Sequence, residues 1–424
     1  MAETVGIIGG GIIGVCTAYF LHQQGYEVCI FDEHRFDNSC SWGNAGMIVP
    51  SHVIPLSAPG VIWQGLKWMF RAESPFAFHF SFNKELLSWI KLFHQHSNAQ
   101  HVRYAIPHLR DISLLSRRLY QQLALPQQAQ TNFETKGLFM LFQTPKVRDE
   151  EIKIAQLANA NGIRAEVLDA EEVQLMEPDT RLRVLGGIYY PGDALIHPGK
   201  WMQFLIAYLQ NGGVSFYASH KITDLHIQQK RIQAIVSEKE IFHVDHVVVA
   251  AGVQTTSLLK KIQVNIPLQA GKGYSFDVQL PSRKIHIPAL LLEGRVAVSP
   301  FGNLLRISGT MEIGANLHTI NQAKIHGIIK HFYAFYPDLQ REIGFTPDQK
   351  HLPEIVWSGA RPCSPDGLPF IGRIKSFDNL YVATGHGMLG LSLAPATGFL
   401  LAQLIGGKSP DVNLQAFDPQ RFDT

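Results

Sequence analysis

The sequence predicts an α/β chain. Its first part is a parallel, Rossmann-type nucleotide-binding domain, and its second is an α+β substrate domain on a mainly antiparallel sheet. Three observations predict this. Strand, glycine turn, helix and second strand follow one another within residues 4–31, the spacing of a βαβ unit. Short β-rich runs punctuated by Gly and Pro fill 214–250 and 266–310, as an antiparallel sheet requires. Helical periods dominate 51–147, so that region differs in kind from what flanks it.

Each element has its own reason. Residues 4–8 are a short apolar strand, and 12–24 have a helical pattern that stops at Gly25, a residue that closes helices without steric penalty. Residues 26–31 form the second strand. In 107–124, Leu109, Ile112, Leu115 and Leu119 share one helix face, and 84–96 reads likewise. Residues 148–161 and 200–210 are helices closed by Asn-Gly pairs. Four strands follow at 214–218, 221–227, 231–237 and 241–250, the last running into Gly252. A helix near 321–335, a strand at 380–384 and a final helix at 391–405 complete the chain. This order predicts a discontinuous cofactor domain of residues 1–50, 148–262 and 340–424, with 51–147 and 263–339 forming the substrate domain.

Composition narrows the functional classes. With 424 residues and 46% hydrophobic content, the chain suits two or three domains of ~100–200 residues. Charged residues are 17% and the formal net charge is +2, which gives no electrostatic basis for a nucleic-acid partner. The four cysteines show no CxxC spacing and no disulfide framework, a usage that suits a reducing cytoplasm. Nineteen histidines form no HExxH or Cys/His cluster, so no metal site is expected. Residues 5–21 are apolar but lack a basic flank and are broken by glycines. They belong to the fold and not to a membrane anchor, and no other span stands out. Phe76, Phe78, Phe80 and Phe82 alternate, as in a strand with one apolar face. That face permits peripheral membrane contact, with core packing the favoured alternative. Nothing in the sequence predicts the oligomeric state.

The chemistry begins at Gly9-x-Gly11-x-x-Gly14. The first glycine allows the tight turn, the second lets a pyrophosphate approach the backbone, and the third lets helix pack on strand. The helix N-terminus at Ile12 and Ile13 then faces the phosphates. Asp32 ends the second strand and Glu33 follows it, acids suited to a ribose hydroxyl. This fingerprint leaves both FAD and NAD open.

Further motifs separate them. Ser41-Trp-Gly-Asn44-Ala45-Gly46-Met47 follows the second strand. Ser358-Gly-Ala-Arg361-Pro362-Cys-Ser-Pro365-Asp366-Gly367 and Thr384-Gly385-His386-Gly387-Met388-Leu-Gly390 lie near the end. The ordered set resembles the D-amino acid oxidase superfamily of FAD enzymes, and within it the bacterial D-amino acid dehydrogenases. Ala58-Pro-Gly60, Lys67-Trp-Met-Phe70 and Lys272-Gly-Tyr274-Ser275 carry the same likeness. The resemblance implies non-covalent FAD and oxidation of a D-amino acid to the imine, then to the 2-oxo acid and ammonia. Electrons would pass to a quinone or other acceptor. It implies that Arg361 fixes the substrate carboxylate, a task that suits a guanidinium fork. It also implies that Asn44, Ala45, Gly46 and Met47 lie along the flavin and that Ile222 meets the adenine. Ala251 and Gly252 would approach the pyrophosphate, and Gly387, Met388, Gly390 and Leu391 would stand at the flavin edge. Ser41 belongs to the same cofactor set. For His52 and Tyr274, substrate contact and packing stay equally open.

Two departures from the resemblance matter. Sarcosine-oxidase-like members link flavin through a cysteine at the position of Gly359, and Cys363 sits wrongly for that link. Glycine oxidases carry a second arginine after the Gly-His pair, where this chain has Gly387 and Met388. Alternative substrates are glycine, sarcosine, D-proline or cis-4-hydroxy-D-proline. An alternative of another class is a non-catalytic flavin electron-transfer subunit.

Overall fold

The computed structural model describes residues 2–57, 73–79, 83–280, 285–345 and 353–423. Among the described residues the seven longer helices are α1 (Ile12–Gln23), α2 (Lys84–His96), α3 (Ala99–Leu123), α4 (Pro145–Ala160), α5 (Pro198–Asn211), α6 (Gln322–Phe335) and α7 (Gly390–Ile405). The first sheet has six strands, in the order Phe370–Arg373, Leu380–Thr384, His246–Val249, Thr4–Ile8, Glu27–Phe31, Ser215–Tyr217. All neighbours are parallel except the hairpin of the first two. The central strands are mostly apolar, their polar residues standing at the ends, as expected where helices cover a parallel sheet. Three antiparallel strands, Ile222–Gln228, Arg231–Ser237 and Ile241–His243, form a separate small sheet.

The second sheet has nine strands among the described residues. Trp357–Cys363 is its edge beside Gln269–Gln279. Leu304–Ile313, Val296–Phe301 and Ala289–Leu291 follow, then Leu138–Phe142, Gly186–Tyr190 and Glu166–Asp169. Phe76–Phe78 pairs in parallel with Leu304–Ile313. Of the alternating run, Phe76 and Phe78 lie in this strand, and Phe80 and Phe82 lie outside the described residues, as do Ala58–Gly60 and Lys67–Phe70. Helix α6 covers one face of this sheet through Ile325, Ile328, Ile329 and Phe332, packed against Tyr274, Phe276 and Val278.

Sheet membership corrects the expected division of the chain. Residues 166–169 and 186–190, assigned above with the cofactor part, pair with Leu138–Phe142 in the second sheet. The strand 357–363, likewise assigned, is that sheet's edge. Helix α3, assigned to the substrate part, packs its Ile106, Leu109, Ile112 and Leu119 into the same core as α1 and α7. The two parts thus share a hydrophobic core and are not separable by a cut in the sequence.

Helix α7 lies in the centre of that core. Gly398 meets α1 so closely that a Cβ there would stand 2.6 Å from the Cys16 backbone. The segment Gly387–Ile405 is long and apolar enough to cross a membrane by length and composition, against the expectation of no further span, and most of it is buried inside the protein. Pro395 lies inside the helix and removes the N–H that would serve the carbonyl of Leu391. Tyr120 of α3 donates its hydroxyl to that carbonyl at 2.6 Å. Ser116, one turn away, donates to the Ser392 carbonyl at 2.6 Å and accepts from Ala396 N–H at 3.5 Å. The side chains of α3 therefore replace the backbone bonds that the proline disrupts, and the first turn of α7 is held in place.

Candidate active site

A cavity of about 780 Å³ runs along the carboxyl ends of the parallel strands, where open α/β sheets bind their ligands. Gly9, Gly11, Ile12 and Ile13 line it at one wall. The three fingerprint glycines have different roles. A Cβ at Gly9 would stand 2.3 Å from the Ala250 carbonyl, and one at Gly14 would stand 2.0 Å from the Gly9 carbonyl. Both are demanded by the protein itself. A Cβ at Gly11 meets nothing nearer than Ser41 Oγ at 3.6 Å, so its bareness serves what enters the cavity. Gly252 and Gly387, both at positive φ, also have nothing within 4 Å of the added carbon. Bare backbone at three points along one cavity fits the approach of a pyrophosphate and an extended nucleotide cofactor.

Other predicted cofactor residues join this wall. Asp32 accepts from Gly10 N–H at 2.8 Å and from His34 N–H at 2.9 Å. Burial raises its carboxyl above the ordinary range, and these backbone donors pull it back. Glu33, accepting from Gln254 Nε2, lines the cavity with Ile222, Ala251 and Gly252. Ser41 accepts from Ile12 N–H at 3.0 Å, and Asn44 stands beside it at the wall. Gly387, Gly390 and Leu391 line the cavity as well. Helix α7 begins there with no side-chain cap and no acid in its first turn, so its positive end is open to a developing negative charge. Met388 is 53% exposed and does not line the cavity. Gly14, Ala45, Gly46 and Met47 lie behind the wall, shaping it without lining it. Gly46 is at positive φ, and a Cβ there would meet the Ile196 carbonyl at 2.2 Å.

Arg361 stands at the cavity wall in the edge strand of the second sheet. Its guanidinium lies over Gly273, where a Cβ would come within 2.2 Å of Nη1. Nη1 donates to the Thr310 carbonyl at 2.6 Å. Thr310 occupies the left-handed region at φ 70°, at a register shift opposite Lys272–Tyr274. Strain of this kind persists where the surroundings impose it, and here it aims a carbonyl at the arginine. Among the described residues no carboxylate lies within ion-pair distance of Arg361. Burial draws its guanidinium below the ordinary value, which marks a desolvated cation free to take an anionic ligand.

Just before Arg361, the edge strand leaves no room for a side chain at the position where the resemblance places a linking cysteine. The Trp357 indole packs between Gly43 and Gly359, and a Cβ at Gly359 would stand 2.1 Å from it. A cysteine at this position would displace the ring.

His52 and Tyr274 are not among the residues that line the cavity. Tyr274 is buried, and its hydroxyl donates to Glu312 Oε1 at 2.7 Å and accepts from Asn321 N–H at 3.3 Å. His52 shares a hydrogen bond with Ser51 Oγ at 3.1 Å. Burial, with Arg295 nearby, holds its imidazole down to about 4. Ser51 Oγ donates to buried Asp193 at 2.5 Å. His386, in the Thr-Gly-His-Gly motif, does line the cavity, and burial holds it down to about 3 while Nε2 meets Thr397 Oγ1 at 3.0 Å. Sequence reasoning left it out, although its motif was in view. Leu317 and His318 also line the cavity and carry no local signal. Among the described residues no three metal-binding side chains cluster.

A parallel sheet, a glycine turn at the cavity wall and a desolvated guanidinium in the same lining define a nucleotide-cofactor oxidoreductase. The chain belongs to the DAO family, the FAD dependent oxidoreductases, which it matches over residues 4–404. FAD is therefore the cofactor of the cavity. The chain is 30% identical over 405 residues to a D-amino acid dehydrogenase of Helicobacter pylori, covering 95% of each. It is 29% identical over 420 residues to one of Granulibacter bethesdensis, covering 96% of each. Its fold is similar to that of glycine oxidase from Geobacillus kaustophilus, with a TM-score of 0.78, 22% identity and 99% of each chain covered. It is also similar to that of L-proline dehydrogenase from P.horikoshii, with a TM-score of 0.75, 19% identity, and 100% of this chain and 98% of that one covered.

Proposed function

We propose that this chain is a D-amino acid dehydrogenase. It oxidises the α-carbon–nitrogen bond of a D-amino acid to the imine, which water converts to the 2-oxo acid and ammonia. The observation that carries the reading is Arg361, a desolvated cation at the cavity wall with a carbonyl partner and, among the described residues, no carboxylate. The names of relatives matched over almost the full chain support it. When bound, FAD supplies the two-electron acceptor for the hydride of the α-carbon. Arg361 takes the substrate carboxylate on its fork and so fixes the orientation of the α-carbon. The uncapped start of α7 stabilises negative charge at the cavity's inner end. The flavin is held without a covalent bond, because Trp357 fills the space beside Gly359. Neither His52, kept neutral by burial and bonded to Ser51, nor Tyr274, bonded to Glu312, lines the cavity, and both take packing roles in this reading.

The test is a panel of D-amino acids, glycine, sarcosine, D-proline and cis-4-hydroxy-D-proline, each with a quinone analogue and with oxygen alone. Rapid dye reduction with an acyclic D-amino acid, and slow peroxide formation, is the expected outcome. Turnover confined to a cyclic imino acid, or to glycine, would replace the substrate in this reading. No reduction by any of them would make the chain a flavin electron-transfer subunit.

A further inference from the structure

Lys272 opens the motif Lys272-Gly-Tyr274-Ser275, none of which lines the cavity. Strand alternation points Lys272 and Tyr274 to the α6 side of the second sheet, with the ammonium 5.2 Å from the centre of the Tyr274 ring. Lys272 is 1% exposed. Its Nζ donates to the Asn316 carbonyl at 2.7 Å and to the Thr319 carbonyl. Among the described residues no carboxylate lies within ion-pair distance of it. Glu312, opposite it in register, is engaged by the Tyr274 hydroxyl at 2.7 Å and by His79 at 3.0 Å. A buried ammonium is costly unless its protons are taken up, and here the carbonyls of a surface loop take them.

That loop, residues 314–321, joins Leu304–Ile313 to α6 and forms neither helix nor strand. Local ties fix it at several further points. Gly314 enters at φ 76°, where a Cβ would stand 2.5 Å from the His79 carbonyl. Asn316 Oδ1 accepts from His318 N–H at 2.9 Å, and the Tyr274 hydroxyl accepts from Asn321 N–H at 3.3 Å. Between these ties, Leu317 and His318 line the cavity. Among the described residues, the second sheet and its loops give the cavity only this pair and residues 358–362 of the Arg361 strand. Apart from Arg361, that stretch holds Ser, Gly, Ala and Pro, so Leu317 is the largest apolar side chain on this wall. A ligand whose carboxylate sits on Arg361 meets its apolar surface from the same wall.

We propose that Leu317 is a specificity-determining residue that borders the side chain of the amino acid held by Arg361, and that Lys272 is the positioning residue that fixes it there. The inference rests on the reading of Arg361 as the carboxylate anchor.

The experiment uses the FAD-loaded, full-length protein with Leu317→Ala and, separately, Lys272→Met, which keeps the stem and deletes the ammonium. Specificity is read as the ratio of kcat/KM for D-norleucine over D-alanine. It is read again as the ratio of affinities for hexanoate over propionate, followed by the flavin absorbance, since these carboxylates have no amine to oxidise. FAD affinity is measured beside both. Leu317→Ala should lower each ratio about tenfold, the loss expected when an apolar pocket gives up a methylene-sized contact. Lys272→Met should lower both in the same direction, and FAD affinity should stay at the parent's value. Should the lysine variant fail to fold, Asn316→Ala, which frees the His318 N–H at the surface, reports on loop position in its place and should lower the ratios too. Parental ratios in Leu317→Ala would overturn the proposal, as would a loss of FAD affinity with the ratios unchanged. Parental ratios in Lys272→Met beside shifted ones in Leu317→Ala would remove the lysine's role. If the parent oxidises no D-amino acid the functional reading falls, and the carboxylate titrations still decide this inference.

Discussion

Replacing Arg361 with methionine removes the guanidinium while keeping most of the side chain's length and apolar stem. Within the protein the fork makes one hydrogen bond, to the Thr310 carbonyl, and no ion pair among the described residues. Its loss should therefore change stability little, since a single intramolecular bond contributes about 1 kcal/mol and a desolvated charge disappears with it. Against a substrate the balance differs. Truncating one partner of a desolvated, bidentate charge pair costs about 2–5 kcal/mol, which is roughly thirty- to several-thousand-fold in kcat/KM. Steady-state kinetics on the preferred D-amino acid, with a dye acceptor, should show this loss while flavin absorbance and melting stay near those of the parent. Arg361→Lys should recover part of it. An amine that lacks the carboxylate should lose far less from either change. Were Arg361→Met to shed flavin or unfold while its holo fraction kept normal kinetics, the arginine would be structural and the carboxylate assignment wrong.

Gly11→Ala and Gly14→Ala should part company. The first adds a carbon to open space and should leave the apoprotein stable but weaken FAD binding, whereas the second collides with the Gly9 carbonyl and should lower apoprotein melting as well; equal effects of both on melting would refute the division of roles. Acid precipitation should leave all the flavin in the supernatant, and Gly359→Cys should destabilise the protein by about 1–3 kcal/mol through overpacking on Trp357, with Trp357→Ala in the same chain restoring it. Asp193 is raised by burial from the ordinary 3.8 to about 7. The unfolded chain thus releases this proton first, and folding loses on the order of 4 kcal/mol as pH rises from about 4 to about 7. Chemical denaturation across that window should show Asp193→Asn gaining on the parent as pH rises, and parallel curves would exclude the shift.

What was legible in the sequence was local. Gly9, Gly11, Gly14 and Asp32 could be read because turn, helix start and strand end lie within one βαβ unit and each residue has a steric or hydrogen-bonding reason at its own position. Helices 84–96 and 200–210 were legible by period, and α3 was found from residue 107 onward although it begins at Ala99. The proline at 107 obscured its first two turns. What was hidden depends on pairing across long separations. Nothing near 166–190 announces that these strands join Leu138–Phe142 and not the parallel sheet. Arg306 reaches Trp42 across 264 residues, and Ser51 reaches Asp193 across 142. Arg361 was found through its motif, while the strained carbonyl of Thr310 that holds it has no sequence signature at all. Tyr274 was singled out for its position after Gly273, yet strand alternation points it to the α6 side of the sheet, opposite Arg361.

The repair of α7 by α3 ties two distant positions into one unit of inheritance. Pro395 creates an orphaned carbonyl, and the Tyr120 hydroxyl exists in that place to meet it. A lineage that regains an N–H donor at 395 relaxes selection on the tyrosine's oxygen, and one that loses the oxygen first leaves a buried carbonyl with nothing to bond. Among descendants of this chain, position 120 should keep its hydroxyl wherever 395 keeps its proline and drift toward phenylalanine only afterwards. The order of those two changes is fixed by the hydrogen bond rather than by the reaction the enzyme performs.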